Sequence, residues 1–297
     1  MKKTLFEGVA TAVVTPFKQD LSIDYKAFEN IIENQINNGI NAIVVAGTTG
    51  ESPTLTKEEH YNLIKYAVET VAGRVPVIAG AGSNAAEHAR ILCKNSKIAG
   101  ADGLLVVTPY YNKTNLSGLI EYYKMCSRAT EDTLPIIAYN VPSRTGLDIK
   151  VDYYEKLIQI DNIVAVKEAS GDVSKAAKIV ADYGKDIDVY SGNDDLTLPI
   201  LSVGGKGVIS VASNVIPFPM ANICKQYLGG NHEVATNEML HYLKLINAMF
   251  MDVNPIPVKA AMELKGLCEN ILRLPLVPLD DEKYQKLKNI MIKYHIV

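Results

Sequence analysis

Several residue types that often indicate a function are scarce or absent in this chain of 297 residues. It contains no tryptophan, and its four cysteines, Cys93, Cys126, Cys224 and Cys268, form no C-x-x-C pair. Neither a disulfide framework nor a zinc ribbon is therefore predicted. With 30 basic and 33 acidic residues, the net charge of −3 gives no reason to expect nucleic acid or a membrane as a partner.

Long apolar runs are also absent. No segment reaches 18 consecutive apolar residues, the length typical of a membrane-spanning helix. Near the N-terminus, acidic Glu7 interrupts the apolar stretch and no small-residue cleavage pattern follows a long enough run, so a secretory signal is not predicted. The simplest expectation is a cytoplasmic protein whose thiols are reduced.

Common cofactor motifs are missing as well. No G-x-G-x-x-G opens a helix after the first predicted strand and G-x-x-x-x-G-K-[ST] does not occur, so no nucleotide site is predicted. None of the five histidines has the spacing of metal ligands, and we expect no metal. They lie in predicted helical intervals or in the tail, at His60, His88, His232, His241 and His295.

What the sequence does contain is a series of eight short apolar runs separated by helical intervals. Most runs are continuous rather than alternating, as expected for parallel strands that are covered on both faces. Eight strand–helix units in about 210 residues predict an α/β fold, a closed (β/α)8 TIM barrel. An open doubly wound sheet is the alternative, which the count of eight disfavours. The runs cover residues 9–14, 42–46, 75–79, 103–107, 135–139, 163–167, 188–191 and 207–211.

Beyond residue 211 the pattern changes to helices alone, punctuated by prolines. These helices outnumber the one that a barrel needs after its eighth strand, so a C-terminal helical appendage is predicted. We therefore divide the chain into a barrel with the active site at 1–225 and a helical region at 226–297. The predicted helices cover residues 218–228, 232–251, 258–265 and 281–294.

One lysine follows a β-branched run at the predicted carboxyl end of a strand, which is the end where TIM barrels carry their chemistry. Residues 163–166 form this run, and Lys167 comes next. Burial disfavours an ammonium group, so the pKa of Lys167 should fall from about 10.4 towards neutrality. An uncharged, desolvated amine is what a Schiff-base nucleophile requires. The alternative is a structural lysine that reaches solvent or pairs with a carboxylate.

Polar groups follow other predicted strands at the same end of the barrel. After the second strand, residues 47–52 place two hydroxyls between glycines, a pattern that suits either a small anion such as a carboxylate or a plain tight turn. Tyr110 and Tyr111 follow the fourth strand, and their side chains should point in different directions. Loop packing or a subunit contact is the alternative explanation for this pair. At the end of the fifth strand, Tyr139 can act as a general acid or base, and Arg144 nearby can bind a second carboxylate. Taken singly, the alternatives are a tyrosine of the core and a solvated loop charge.

Glycines near the seventh and eighth strands raise a second possibility for Lys167. Phosphate sites are frequent there in TIM barrels, and a phosphate site together with a lysine Schiff base would indicate pyridoxal phosphate. However, Gly192 and Asn193 are followed by Asp194 and Asp195, which would repel a phosphate. Pyridoxal phosphate is therefore the weaker hypothesis.

Three stretches together resemble the dihydrodipicolinate synthase family, whose wider membership includes N-acetylneuraminate lyase and other pyruvate-dependent class I aldolases. The stretches are GTTGE at 47–51, YNVPSRTG at 139–146 and KEASG at 167–171, and the resemblance spans nearly the whole chain. It implies condensation of pyruvate with L-aspartate 4-semialdehyde to 4-hydroxy-tetrahydrodipicolinate in diaminopimelate and lysine biosynthesis. It also implies that the reaction needs no cofactor beyond a Schiff base on the lysine.

The resemblance further implies a role for each residue that would handle pyruvate. Lys167 would form the imine, and Thr49 would hold the carboxylate of pyruvate. Tyr139, Thr48 and Tyr111 would relay protons, with Tyr111 supplied by a neighbouring subunit. A homodimer would then be the minimal active unit, within a tetramer built as a dimer of dimers.

For the second substrate, the resemblance implies that Arg144 binds the carboxylate of the semialdehyde. Gly192 and Ile209 would line the pocket through their backbone carbonyls. Arg144 also separates this activity from a sugar-acid lyase, which should present small and hydroxyl groups at that position. A sugar-acid lyase or aldolase that uses pyruvate, or a non-catalytic regulatory barrel, remains the alternative.

Relatives in this family bind lysine as a feedback inhibitor in a cleft, and the matching positions of this chain differ from theirs. Lys57 stands where histidine is usual, and His88 stands where a glutamate would bind the ammonium group of lysine. Since a carboxylate is lost and a cation gained near a cationic effector, we expect weak or no inhibition by lysine. Asn193 also stands where aspartate is common. The cleft positions are Ser52, Pro53, Lys57, His60, Asn84, His88 and Tyr110.

Overall fold

A computed structural model describes residues 4–297 and contains a closed barrel of eight parallel strands in chain order. The predicted TIM barrel is therefore confirmed, and each predicted strand lies within two residues of an observed one at both ends. The strands are β1 (Gly8–Ala12), β2 (Ala42–Val45), β3 (Val77–Gly80), β4 (Gly103–Val107), β5 (Ile136–Asn140), β6 (Ile163–Glu168), β7 (Asp188–Ser191) and β8 (Gly207–Ser210).

Closure of the barrel depends on a glycine at the start of β8. Gly8 of β1 pairs in register with Gly207 of β8. A Cβ atom on Gly207 would lie 1.8 Å from the carbonyl oxygen of Gly8, and its φ of +154° is also unfavourable for other residues. The first and last strands can therefore meet only with glycine at this position.

Helices surround the barrel and continue beyond it. Their starts follow the capping rules: at the start of α2, the amide of Glu59 donates to Thr56 Oγ1 at 3.1 Å while Glu59 accepts from the amide of Thr56 at 2.8 Å. The helices of the described residues are α1 (Tyr25–Asn37), α2 (Lys57–Val71), α3 (Ala86–Ile98), α4 (Leu116–Arg128), α5 (Pro142–Thr145), α6 (Tyr154–Leu157), α7 (Val173–Tyr183), α8 (Thr197–Ser202), α9 (Pro217–Leu228), α10 (His232–Ala248), α11 (Ile256–Leu264) and α12 (Asp281–Lys293). Among them, none combines the length and the apolar character that crossing a membrane requires.

Side chains form two cores, one between the strands and the helices and one inside the barrel. In the inner core, the ring of Phe6 stacks on the ring of Tyr190 with 4.2 Å between their centroids. Phe6 precedes β1, so this pair fills the barrel near the amino ends of its strands. The opposite end, where Tyr139 and Lys167 lie, is left for the site.

The C-terminal helices are fixed to the barrel by a buried ion pair. Lys259 of α11 lies 2.6 Å from Glu51, which follows β2, and both side chains are fully buried. Lys259 also donates to the carbonyl of Ile271 at 2.6 Å. The domain boundary after residue 225 stays a prediction; position 225 lies inside α9.

Candidate active site

Two neighbouring strands bring Tyr139 and Lys167 together. Tyr139 of β5 pairs in register with Lys167 of β6, and strand periodicity directs both side chains into the barrel. Lys167 Nζ lies 4.5 Å from the centroid of the Tyr139 ring, and the lysine is only 5% exposed. The strand continues to Glu168, so Lys167 is its penultimate residue rather than its last.

The environment of Lys167 favours its neutral amine. Burial lowers the pKa of Lys167 to about 8, the carboxylate of Asp194 opposes this fall, and the guanidinium of Arg144 adds to it. In the described part of the chain, Lys167 forms no ion pair within 4 Å. The predicted fall in its pKa is therefore confirmed in direction, and a useful fraction of free amine exists near neutral pH.

Asp194 supplies a fully buried carboxylate near the lysine. Ser210 Oγ donates a hydrogen bond to one carboxylate oxygen, and the amide of Val211 donates to the other at 3.0 Å. Burial raises the pKa of Asp194, although these hydrogen bonds and Lys167 offset part of the rise. The site can thus balance a positive charge that develops at the lysine nitrogen.

Tyr139 has the properties of a proton donor. It is 7% exposed, and burial raises its pKa, while Arg144 and a hydrogen bond with the Thr48 side chain offset part of the rise. The phenol therefore keeps its proton at neutral pH and can give it to a leaving hydroxyl. Thr48 follows β2 and is partly exposed, so it can connect the phenol to the cavity.

A cavity of about 170 Å³ contains most of the residues that the sequence predicted. Its volume suits a molecule of only a few heavy atoms, such as a small keto acid. Its apolar walls include Ala12, Leu105 and Val141. The predicted residues that line it are Thr48, Thr49, Tyr139, Arg144, Lys167 and Gly192.

Two predicted residues lie elsewhere. Ile209 is fully buried in the core inside the barrel and is not among the residues that line the cavity. Tyr111 is 89% exposed and its φ is +69°, in the loop after β4. One chain therefore does not bring Tyr111 to Lys167, and the roles of both residues stay predictions.

Sequence reasoning missed a residue that joins two of the predicted ones. Asn254, in the turn between α10 and α11, donates from Nδ2 to Thr49 Oγ1 at 3.0 Å. Arg144 Nη2 donates to the main-chain oxygen of Asn254 at 3.2 Å. The Asn254–Pro255 pair could have indicated a defined turn, but nothing local shows which strand end this turn reaches.

A second missed feature lies behind the Tyr139–Lys167 pair. Because side chains alternate along a strand, Asn140 and Glu168 point away from the barrel interior. Asn140 Nδ2 donates to Glu168 at 3.0 Å and to Asp148 at 2.9 Å. Lys175 of α7 forms ion pairs with both carboxylates, at 3.5 Å to Glu168. This polar cluster links β5 to β6 directly behind the Tyr139–Lys167 pair.

The possible effector residues are only partly assembled in the single chain. A second cavity of about 290 Å³ adjoins the first, and Ser52, Pro53, His88 and Tyr110 line it. His60 is buried instead, and one of its ring nitrogens lies 2.7 Å from the carbonyl oxygen of Gly80. The two remaining positions, Lys57 and Asn84, are exposed and partly buried respectively, and do not line the cavity.

The described residues, 4–297, contain no cluster of three or more His, Cys, Asp or Glu side chains that could hold a metal ion. The chemistry that the cavity itself offers is that of a weakly basic amine, a phenol, hydroxyls and a guanidinium. This set can form an imine from a keto acid and can hold two carboxylates.

Comparison with known proteins agrees with this geometry. A model of the dihydrodipicolinate synthetase family matches residues 5–294. A 4-hydroxy-tetrahydrodipicolinate synthase from Alkaliphilus oremlandii is 45% identical over 99% of this chain and 100% of its own length. The structure of dihydrodipicolinate synthase from Aquifex aeolicus is 43% identical with a TM-score of 0.93, and the match covers 98% of this chain and 99% of that one.

A further solved structure carries a ligand. Dihydrodipicolinate synthase from Cyanidioschyzon merolae, with lysine bound, is 41% identical and has a TM-score of 0.95, and the match covers 99% of this chain and 100% of that one. Both the family model and the high coverage extend across the barrel and the C-terminal helices. The chain belongs to the dihydrodipicolinate synthetase family.

Proposed function

We propose that this protein condenses pyruvate with L-aspartate 4-semialdehyde to give 4-hydroxy-tetrahydrodipicolinate, a step of diaminopimelate and lysine biosynthesis. The observation that carries the proposal is the buried Lys167, whose pKa is about 8, lying 4.5 Å from the ring of Tyr139. The family of the chain and the names of its relatives supply the substrates.

In the first step, the neutral amine of Lys167 adds to the ketone carbon of pyruvate. Tyr139 then gives its proton to the hydroxyl of this adduct, which leaves as water, and an iminium remains on the lysine. The Tyr139 phenolate then takes a proton from the methyl group, which converts the iminium to an enamine and restores the phenol. The iminium nitrogen serves as the electron sink, so the lysine takes the part that an organic cofactor plays elsewhere.

In the second step, the enamine carbon attacks the aldehyde carbon of the semialdehyde and a carbon–carbon bond forms. The aldehyde oxygen takes a proton, which we assign to Tyr139, whose phenol is hydrogen-bonded to the Thr48 side chain. The amine of the second substrate then displaces Lys167 from the imine carbon as the ring closes. The enzyme thereby regains its free lysine, and no redox step is needed.

Two anionic substrates need two separate anion sites. We assign the carboxylate of pyruvate to Thr49, which lines the cavity beside Lys167. Arg144 is exposed, lines the cavity and can bind the second carboxylate through two N–H groups. We assign Gly192 to the wall of the pocket. The backbone carbonyl of Ile209 would join this wall once substrate is bound.

We further propose that the active unit is a homodimer within a tetramer. The 89% exposure of Tyr111 in the single chain supports a role at an interface, because a tyrosine so exposed has no packing role of its own. Its phenol would complete the proton relay in the site of the neighbouring subunit. The four free thiols of the chain suit the cytoplasm, where we place the reaction.

The test is mass spectrometry after incubation with pyruvate and borohydride. Reduction of the imine should leave a pyruvyl adduct on Lys167 alone, and the Lys167→Ala variant should show none. The adduct-forming enzyme should then consume aspartate semialdehyde and should release no pyruvate from N-acetylneuraminate. An adduct on another lysine would refute the role of Lys167, and cleavage of the sugar acid would favour the lyase alternative.

A further inference from the structure

Asn254 lies in the C-terminal region, yet it contacts both of the groups that we assign to substrate carboxylates. It is 7% exposed and lines the same cavity as Lys167. Its side chain donates to Thr49 and its main-chain oxygen accepts from Arg144. Asn254 thus connects the two anion sites, one through its side chain and the other through its backbone.

The hydrogen bond from Asn254 determines what the Thr49 hydroxyl can do. A threonine hydroxyl has one proton to donate and two lone pairs that accept. Because Asn254 Nδ2 occupies a lone pair, the proton of Thr49 must point elsewhere. Within residues 4–297, Thr49 Oγ1 donates to no protein acceptor, so its proton is available to a ligand in the cavity.

The side-chain amide of Asn254 lacks a hydrogen-bond partner for its oxygen among residues 4–297. Its Oδ1 is buried and accepts no hydrogen bond in the described part of the chain. A buried acceptor without a partner reduces stability, and such groups are often retained for function. An apolar side chain at this position would avoid that penalty, so stability alone does not account for an asparagine here.

We propose that Asn254 is a positioning residue that directs the Thr49 hydroxyl towards the carboxylate of the keto acid. The inference rests on the proposed function and deepens it, since it assigns part of substrate recognition to the C-terminal helical region. Asn254 acts on pyruvate through its side chain, whereas it acts on Arg144 through its backbone. Substitutions of its side chain should therefore affect the two substrates unequally.

The experiment compares steady-state kinetics of the wild type and Asn254→Leu, a variant of similar size without an amide. The KM for pyruvate should rise about tenfold, as for the loss of one hydrogen bond that orients a donor to a charged group. The KM for the semialdehyde should change less than twofold, because the main-chain carbonyl that holds Arg144 remains. The free energy of unfolding should not fall.

A double-mutant cycle with Thr49→Val isolates the mechanism. If Asn254 acts through the hydroxyl, Asn254→Leu should raise the KM for pyruvate no further when the hydroxyl is already absent. The smaller Asn254→Ala variant, measured in parallel, guards against a failure of the leucine variant to fold. An equal rise in both KM values, additive effects with Thr49→Val, or lost stability with unchanged KM values would overturn the proposal.

Failure of the proposed function would look different. In that case the wild-type protein would form no pyruvate adduct on Lys167 or would not consume the semialdehyde. If the wild type is active and the substitutions at Asn254 change neither KM, the function stands and only the inference about Asn254 falls.

Discussion

Burial of the amine of Lys167 favours catalysis but opposes folding. The pKa of this lysine is about 8 in the folded protein and 10.5 in its ordinary state, so the unfolded chain binds more protons between these pH values. The contribution of Lys167 to stability is therefore least favourable below pH 8 and becomes more favourable as the pH increases towards 10.5. Replacing Lys167 by methionine should raise the free energy of unfolding by about 3 kcal/mol at pH 7.

Urea unfolding at two pH values tests this expectation. The gain in free energy of unfolding from Lys167→Met should shrink to roughly half or less at pH 9.5. At that pH the wild-type amine is neutral in the folded protein and still mostly protonated in the unfolded chain. Lys178→Met, a change at an exposed position of α7, is the matched control for the loss of a lysine outside the cavity. An identical gain at both pH values would show that the amine is not penalised by burial.

Tyr139 is expected to act after the lysine rather than before it. Tyr139→Phe keeps the ring beside Lys167 but removes the phenolic proton, so kcat should fall by about a hundredfold or more. Borohydride should still trap some pyruvate on Lys167, more slowly than in the wild type. If trapping is abolished while the protein stays folded, Tyr139 is needed to form the adduct at all. An unchanged kcat would show that Tyr139 does not transfer a proton in the reaction.

At the scale of single elements, the ends of the strands could be predicted from the sequence. The contacts that these ends make with distant segments of the same chain could not. Continuous apolar runs and flanking turn residues mark each strand locally, which is why Lys167 and Tyr139 were found. Asn140 and Glu168 occupy the next positions, yet their partners on α7 and at Asp148 depend on packing between distant segments. Asn254 was missed for the same reason.

The buried pair of Glu51 and Lys259 joins the loop after β2 to α11 and offers a test of that connection. Glu51→Gln should destabilise the protein by about 3–5 kcal/mol, because an ammonium then stays buried without its countercharge. Chemical denaturation measures the loss. The double variant Glu51→Gln with Lys259→Met removes the charge as well and should recover most of the stability. If the double variant is no more stable than the single one, the pair is not the cause.

For the whole molecule, the proposed sharing of Tyr111 between subunits predicts complementation. Lys167→Ala should be inactive and Tyr111→Phe strongly impaired when each is assembled alone. In a mixed dimer one site carries both defects, while the other has an intact lysine and an intact tyrosine from its partner. Unfolding and refolding the two variants together should therefore restore up to about a quarter of wild-type activity. No recovery in verified mixed dimers would place Tyr111 outside the neighbouring site.

Inhibition by lysine is also expected to depend on the assembled molecule. The positions that match the effector cleft of relatives carry Lys57 and His88 here, and neither supplies the negative charge that an ammonium group needs. Lysine should inhibit only above about a millimolar, if at all. Initial-rate assays with lysine test this, and His88→Glu should increase sensitivity. Half-inhibition well below that concentration would contradict the expectation.

The buried contacts between the C-terminal segments and the loop after β2 also affect when activity can appear. A ribosome adds all eight strands before it reaches Asn254 and Lys259. A nascent chain could thus close its barrel and already carry Lys167 and Tyr139, while Thr49, Arg144 and Glu51 still lacked their partners. The anion sites would then be completed late in synthesis, so premature release of the chain would yield a barrel in which Thr49, Arg144 and Glu51 lack these contacts.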